Sequence, residues 1–299
     1  SIDFRFVQDT VEVLGMEGQA YPGYTMRMFS DNAAKVLKEF VFTRPVTLSG
    51  GGMFPMGDDM KLMKGRIRFD ASAGRVRYPL LGTTLDLGKA KGEILISPQW
   101  VVVDKMKGTI WDGSFTGRVL AQIDDGDALN GSFVLQDMNL TSIGRSYGKK
   151  MEKATVHGAI EFSSKGGNMN SIQAKGEAAL VHGDLVEIPL FGFLGEALSN
   201  YIPGLGHLIN YKITRADCDF SIEKGYIRTS NFSAKGSNMS LEGGGWIRLA
   251  DLQVNSDFKL GLRGLPGLIT SPVFLLAGGL FQVRGTGPLS NVSWSFAPF

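Results

Sequence analysis

The sequence has almost no cysteine and almost no excess of charge. Cys218 is the only cysteine among 299 residues, which excludes an internal disulfide and a cysteine-based metal cluster. The 31 basic and 29 acidic residues leave a net charge of +2, which gives no electrostatic basis for binding nucleic acid or an acidic partner. The shortage of cysteine and of net charge argues against disulfide-linked, cysteine–metal and nucleic-acid-binding proteins. We predict no cofactor and no nucleic-acid partner.

The sequence begins at Ser1 and runs directly into a strand pattern, with neither an initiator methionine nor a leader-peptide pattern before it. We therefore expect a segment of a longer protein, with its targeting sequence and membrane tether outside the segment. Residues 264–283 are uncharged and long enough to span a bilayer. Two prolines and four glycines within them favour a short apolar helix folded onto the protein over a membrane span.

Glycine and alternating apolar residues are what the sequence has in quantity. Its 40 glycines and 11 prolines lack the collagen period and suit a chain with many tight turns. Apolar and polar residues alternate over most segments, most clearly at 156–162 and 216–222, which is the pattern of half-buried strands. About sixteen to twenty strands and only two or three short helices are predicted. The fold class is therefore all-β and mainly antiparallel, as a strongly curved sheet or β-groove with a few short apolar helices.

Turn residues predict which strands form hairpins. Strands around Ile67 and Tyr78 are expected to pair across 73–74, those around Ile94 and Val103 across Pro98, and the strand 115–123 ends at the turn 124–127. A further hairpin is predicted at Lys224 and Gly225. In the first half of the chain one helix is predicted, over 26–40.

A second, unusually apolar helix is predicted between Pro189 and Pro203, where the apolar spacing changes from two to three or four. Some of its apolar residues are adjacent and therefore point about 100° apart, so the apolar arc is wider than one docking contact needs. We expect this helix to contact an apolar groove, a membrane or a partner. Its apolar residues are Leu190, Phe191, Phe193, Leu194, Leu198, Tyr201 and Ile202.

So few helices cannot cover the apolar faces of so many strands. The faces must either meet each other in a filled sandwich, which fold statistics favour, or surround an apolar ligand. If they form an open groove, a charge at Leu260 or Ile222 costs less stability than it would in a dry core. The residues predicted to line such a groove are Phe220, Ile222, Phe258, Leu260, Leu262, Phe281 and Val283.

Two patterns that carry catalytic or metal chemistry elsewhere have weak support here. Residues 144–148 match Gly-x-Ser-x-Gly, but no clear strand precedes Ser146 and more strand pattern follows, so we assign Ser146 to a turn. The three histidines, at 157, 182 and 207, lack a second ligand at zinc spacing. No catalytic residue and no metal ligand is predicted.

Several segments in the second half together resemble a known family. They are Gly-Asp-Leu-Val-Glu-Ile-Pro-Leu-Phe at 183–191, Met-Ser-Leu-Glu-Gly-Gly-Gly-Trp-Ile-Arg-Leu at 239–249 and Phe-Gln-Val-Arg-Gly-Thr at 281–286. Their order is similar to that in the C-terminal region of the AsmA family, relatives of TamB and of the bridge-like lipid transfer proteins. The resemblance covers about residues 130–296 and includes no catalytic motif.

The resemblance implies a periplasmic protein that is anchored to the inner membrane and holds or conducts phospholipid in an apolar β-groove for outer-membrane assembly. Its partners would be an acyl lipid and envelope proteins at either end. We predict an N-terminal β-rich part over 1–139 and an AsmA-like groove over 140–299, with one continuous elongated domain as the alternative. The competing function is a structural or adaptor β-sandwich in an envelope or secretion assembly.

Overall fold

A computed structural model describes residues 1–22, 40–56, 63–80, 83–122, 128–148, 150–151, 153–165, 171–184, 191, 194–201, 212–262 and 280–298. These residues form eighteen strands and two short helices. Every strand pairing described below is antiparallel, which confirms the predicted all-β, mainly antiparallel class. The chain divides into two compact units. Unit 1 comprises Ser1–Met138, Ser142–Lys149 and Glu161–Asn168, and unit 2 comprises Asn139–Thr141, Lys150–Ile160 and Met169–Phe299.

Unit 1 is a sheet in which most strands pair with the next strand along the chain. The strands are β1 (Ile2–Val7), β2 (Thr10–Ala20), β3 (Val41–Phe42), β4 (Val46–Pro55), β5 (Lys64–Asp70), β6 (Arg75–Leu80), β7 (Thr83–Ile96), β8 (Trp100–Ile110), β9 (Gly113–Gln122) and β10 (Leu129–Asn139), followed by helix α1 (Leu140–Ser146). The order across the sheet is β1-β2-β4-β5-β7-β8-β9-β10. The short strand β3 pairs with β6, and β6 pairs with β7.

The predicted hairpin between β5 and β6 is wrong. Both strands pair with the 14-residue β7, β5 along its second half and β6 along its first half. The Ala71 amide donates to the Ala90 carbonyl at 2.8 Å, so the chain leaving β5 continues along β7. Alternation assigns residues to faces of a strand but does not identify the partner strand.

The other hairpin predictions have clear outcomes. Ile94 pairs with Val103 across the Pro98 turn, and Glu223 pairs with Tyr226 across Lys224 and Gly225, so both hairpins are confirmed. Strands β9 and β10 pair as expected, with residues 123–127 outside the described range. The helix predicted over 26–40 lies almost wholly outside the described residues, as does the segment 264–279. In the described part of the chain, no helix has the length and apolar character to cross a bilayer.

The strands of unit 2 are also antiparallel, and they belong to the same 18-stranded sheet as those of unit 1. The unit 2 strands are β11 (Thr155–Ser164, shared with unit 1), β12 (Gln173–Asp184), β13 (Lys212–Glu223), β14 (Tyr226–Gly236), β15 (Met239–Arg248), β16 (Gln253–Leu262), β17 (Leu280–Pro288) and β18 (Ser293–Pro298). From β12 to β18 each strand pairs with the next. Helix α2 (Leu194–Tyr201) lies between β12 and β13 in the chain.

Each unit contains a run of three glycines in a central strand. A Cβ atom added to Gly50 or Gly52 in β4 would lie 2.1 or 2.2 Å from a backbone oxygen of β5, and one on Gly51 would lie 2.3 Å from the Val13 oxygen of β2. Glycines 243–245 in β15 meet backbone oxygens of β16 and β14 at 2.2 to 2.5 Å in the same alternating way. The pairing register also shifts in β2 opposite Gly51 and in β14 opposite Gly244. Both runs therefore let neighbouring backbones approach closely beside a bulge.

Candidate functional site: the apolar sheet faces

The two residue sets predicted in unit 2 meet in one packed cluster. Leu260 and Val283 are 0% exposed, and the rest of this buried group is Phe258, Leu262 and Phe281. Phe191, Leu194 and Leu198 from the helix segment are buried in the same cluster. The other two predicted groove residues, Phe220 and Ile222, are half-buried. This sheet face is thus covered by part of its own chain.

Phe191 is the main anchor of the helix segment on the sheet. Its ring centroid lies 5.3 Å from that of Phe232, 5.4 Å from that of Phe258 and 5.9 Å from that of Trp294. Aromatic pairs at such distances add to the free energy gained by burying their surface. These aromatic contacts therefore stabilise the position of the short segment around Phe191 on the sheet.

The described part of α2 has one apolar side. Leu194 and Leu198 face the sheet, whereas Glu196 and Asn200 are exposed. Leu190, Phe193, Ile202 and the side chain of Tyr201 lie outside the described residues. The second apolar side, which we expect to meet lipid, membrane or a partner, stays a prediction.

Unit 1 carries an apolar face of a different kind. Residues directly opposite each other on paired strands share a face, so the pairing register defines rows that run across the sheet. One such row crosses eight strands and contains only apolar residues or glycine. It consists of Phe4, Val13, Gly52, Gly65, Ile96, Val101, Ala121 and Leu129.

A second row runs beside the first and has the same composition. It consists of Ile2, Met16, Gly50, Ile67, Ile94, Val103, Val119 and Gly131. Together we call them the apolar rows. Seven spacings of about 4.8 Å between neighbouring strands give each row a length of roughly 34 Å.

The apolar rows remain accessible to solvent. No member of the first row is buried, and Phe4 at its end is 51% exposed. In the second row only Ile67 is buried, while Ile2 is 68% exposed. The corresponding face of unit 2 has Leu241, Leu260 and Phe281 at 0 to 1%. Unit 1 therefore presents the open apolar face and unit 2 the covered one.

Sequence reasoning found the strands that carry the apolar rows but did not identify the rows as a site. The signal was present as alternation at Ile94, Ile96, Val101 and Val103. What was missing was the register that joins residues as distant as Phe4 and Leu129, which only the long-range strand pairing supplies.

The Gly-x-Ser-x-Gly match does not have the geometry of a nucleophile elbow. Ser146 is the last residue of α1, not part of a turn as we expected, and its hydroxyl donates to the Ser142 carbonyl at 3.1 Å. That hydroxyl also accepts a hydrogen bond from the Trp111 indole nitrogen at 3.0 Å. An elbow serine lies instead on a sharp turn between a strand and a helix. In this structure Ser146 links α1 to the turn after β8.

Replacing Ser146 with Ala should remove the hydrogen bond from Trp111 and cost about 1 kcal/mol of stability. Lipid retention and any biological activity should be unchanged, because the assigned role is structural. Urea unfolding followed by Trp fluorescence, together with a general esterase assay, tests both statements. Esterase turnover in the wild type that disappears in the variant would overturn the non-enzymatic interpretation.

The described histidines and the cysteine lie on different strands and differ in exposure. His157 is half-buried in β11, His182 is exposed in β12, and His207 lies outside the described range. The Cys218 thiol is half-buried, and burial raises its pKa, with Asp219 and Asp217 adding to the increase. Within the described residues no three groups of metal-ligand type lie close enough to hold an ion.

Comparison with known proteins adds no relative, because no family model, curated protein or solved structure matches this chain.

Proposed function

We propose that this protein is a non-enzymatic lipid-handling module of the bacterial cell envelope that holds or conducts phospholipid acyl chains and supports outer-membrane assembly. The observation that carries the proposal is the pair of apolar rows in unit 1, which cross eight strands and stay accessible. Their length of roughly 34 Å is more than an extended phospholipid acyl chain needs when it is laid across the strands. The ligand that fits such a surface is long, apolar and without a required polar contact.

The energetics favour an acyl chain without a specific polar site. Each methylene group moved from water onto an apolar surface gains about 0.8 kcal/mol. A chain of many carbons therefore binds through summed small contributions, and it can slide along the rows because neighbouring positions are alike. Both holding and conducting a lipid are consistent with this surface.

We assign the acyl chain to unit 1 and not to the residues first predicted in unit 2. Phe191, Leu194 and Leu198 already occupy the apolar face of unit 2, and their burial leaves no room for a chain there. Binding in unit 2 would require this segment to leave its aromatic anchor site. The half-exposed rows of unit 1 need no such rearrangement.

The periplasmic location, the inner-membrane anchor outside the segment and the envelope partners rest on the resemblance to the AsmA family. The accessible apolar rows are compatible with that assignment. A structural or adaptor module with a filled core is the competing function, and the packed cluster of unit 2 is the observation that favours it.

Native mass spectrometry of protein purified from a lipid-containing bacterial host tests the proposal. Wild-type protein should retain phospholipid. Val101→Asp, in the middle of the first row, should lose most of it, because a carboxylate there must be desolvated when an acyl chain lies over it. Val101 is half-buried, so the variant should remain folded.

Asn130→Asp is the matched control, since Asn130 is exposed in β10 and points to the opposite face from the neighbouring row residue Leu129. It should retain lipid at the wild-type level. A wild-type protein free of lipid, or equal retention in all three proteins, would favour the structural alternative.

A further inference from the structure

The polar face of unit 1 contains a cavity of about 830 Å³ that is lined by six of the strands that carry the apolar rows, β4, β5, β7, β8, β9 and β10. On β5 and β7 the positions of Arg68, Lys91 and Glu93 alternate with those of Ile67, Gly92 and Ile94, so the two sets lie on opposite faces. The cavity therefore lies on the opposite face from the apolar rows.

Most charges in the cavity are already neutralised. Glu93 accepts from Lys105 at 3.1 Å and from Arg68 at 3.2 Å, and these two cations lower its pKa. Asp104 pairs with Arg118 at 3.6 Å. Glu93 and Asp104 therefore have cationic partners other than Lys91 and Lys107.

Two lysines are left facing each other. Lys91 in β7 is directly opposite Lys107 in β8, and both side chains are exposed. Directly opposite residues in an antiparallel pair have Cα atoms about 5 Å apart, and like charges at that position destabilise a sheet. Neither lysine forms an ion pair with another described residue. Asp70 is opposite Lys91 on the other side and accepts a 2.8 Å hydrogen bond from the Ser72 amide. The hydrogen bonds from Ser72 lower the pKa of Asp70, and the charge of Lys91 adds to that decrease, so Lys91 is partly balanced whereas Lys107 is not.

The charge balance of the cavity is positive. Its cations are Arg68, Lys91, Lys105 and Lys107, with Arg118 paired from the rim, and its carboxylates are Asp70, Glu93 and Asp104. The lining alone carries four positive charges against three negative ones, and Arg118 beside it raises the excess from one to two. Thr116 lies opposite Lys107 and adds a hydroxyl donor beside the lysine pair.

We propose that the Lys91–Lys107 pair and the Thr116 hydroxyl group beside it form a binding site for a phosphate monoester. Such a group carries about −1.5 to −2 charge at neutral pH and accepts several hydrogen bonds. It offsets the repulsion between the lysines and the excess charge of the cavity. The source is either a soluble phosphate ester or the headgroup of a lipid such as phosphatidic acid. This site does not depend on the acyl-chain proposal, because it lies on the other face of the sheet.

The test uses the full chain and two variants, Lys91→Gln and Lys107→Gln, with Lys64→Gln as the matched control. Lys64 is an exposed lysine of β5 that does not line the cavity. Calorimetric titration with inorganic phosphate and with glycerol 3-phosphate should give an affinity that falls at least about fivefold in each cavity variant, the loss expected for one charge-assisted hydrogen bond. The control should bind as the wild type does, and binding should weaken as the salt concentration rises.

A second readout separates a ligand site from a purely structural role. Without phosphate, Lys107→Gln should melt at the wild-type temperature or above it, because the substitution removes a like-charge contact. Lys91→Gln removes the same contact but also the attraction of Lys91 to Asp70, so it should melt close to the wild-type temperature. Cosedimentation with phosphatidic acid vesicles, compared with phosphatidylcholine vesicles, identifies the source. If the cavity variants no longer bind phosphatidic acid vesicles, the site is assigned to a lipid headgroup. If they still bind vesicles but bind glycerol 3-phosphate more weakly, the site is assigned to a soluble ester. Equal phosphate affinity in all four proteins, or no phosphate binding by the wild type, would overturn the proposal.

Discussion

Leu260→Asp is expected to unfold unit 2 or to lower its stability by about 4 kcal/mol or more. Leu260 is 0% exposed and lies in the cluster that Phe191, Leu194 and Leu198 complete. The variant loses the packing of a buried leucine and adds a carboxylate with no partner, and each change alone costs several kcal/mol. Since whole domains are stable by only about 5 to 15 kcal/mol, the loss should be visible as unfolding at moderate temperature.

Urea unfolding followed by fluorescence measures this effect, because Trp246 and Trp294 both belong to unit 2. Ile222→Asp should cost less, since Ile222 is only half-buried. Asn255→Asp places the same carboxylate on the exposed side of the same strand and should be nearly neutral. If Leu260→Asp instead stays within about 1 kcal/mol of the wild type, the face is an open groove, as the resemblance to the AsmA family implies.

Gly51→Ala should destabilise unit 1 by at least about 3 kcal/mol, because the added Cβ atom would lie 2.3 Å from the Val13 carbonyl oxygen. The neighbouring atoms belong to the backbone, so no rotamer change relieves the contact. The strands must move apart at the bulge in β2, with loss of the hydrogen bonds on both sides. Thermal unfolding by circular dichroism measures the change.

Gly18→Ala in β2 is the control for this prediction. A Cβ atom at Gly18 meets nothing within 4 Å, so alanine there should be neutral or slightly stabilising through its lower chain entropy in the unfolded state. Equal melting temperatures for Gly51→Ala and the wild type would show that the close approach of β2 and β4 is not required for folding.

The sequence was most informative about local structure. Alternation identified the strands and their polar and apolar faces, and the turns at Pro98 and at Lys224 fixed two hairpins correctly. The turn residues after Ala71 predicted the wrong partner strand. The chain there continues along β7 and does not fold back on β5. That choice depends on a strand about twenty residues away, which no local pattern encodes.

The candidate sites were harder to predict for the same reason. Lys91 and Lys107 are ordinary exposed lysines in the sequence and become a pair only through the register of β7 and β8. The buried state of Leu260 depends on the helix segment around Phe191, although both patterns were recognised separately. Composition could show that apolar faces exceed the available helices, but it could not show which face the chain covers itself.

The direction of the apolar rows determines how an insertion or a deletion of strands would change the length of the apolar surface. Because the rows run perpendicular to the strands, their length is a count of strands and is independent of how long each strand is. Insertion of one hairpin in register would extend both rows by roughly 10 Å, whereas a slip of one residue at a single strand would place polar side chains across the path. The length of the apolar rows therefore changes in steps of one hairpin. Duplication of a segment that encodes one hairpin would lengthen both rows by one such step.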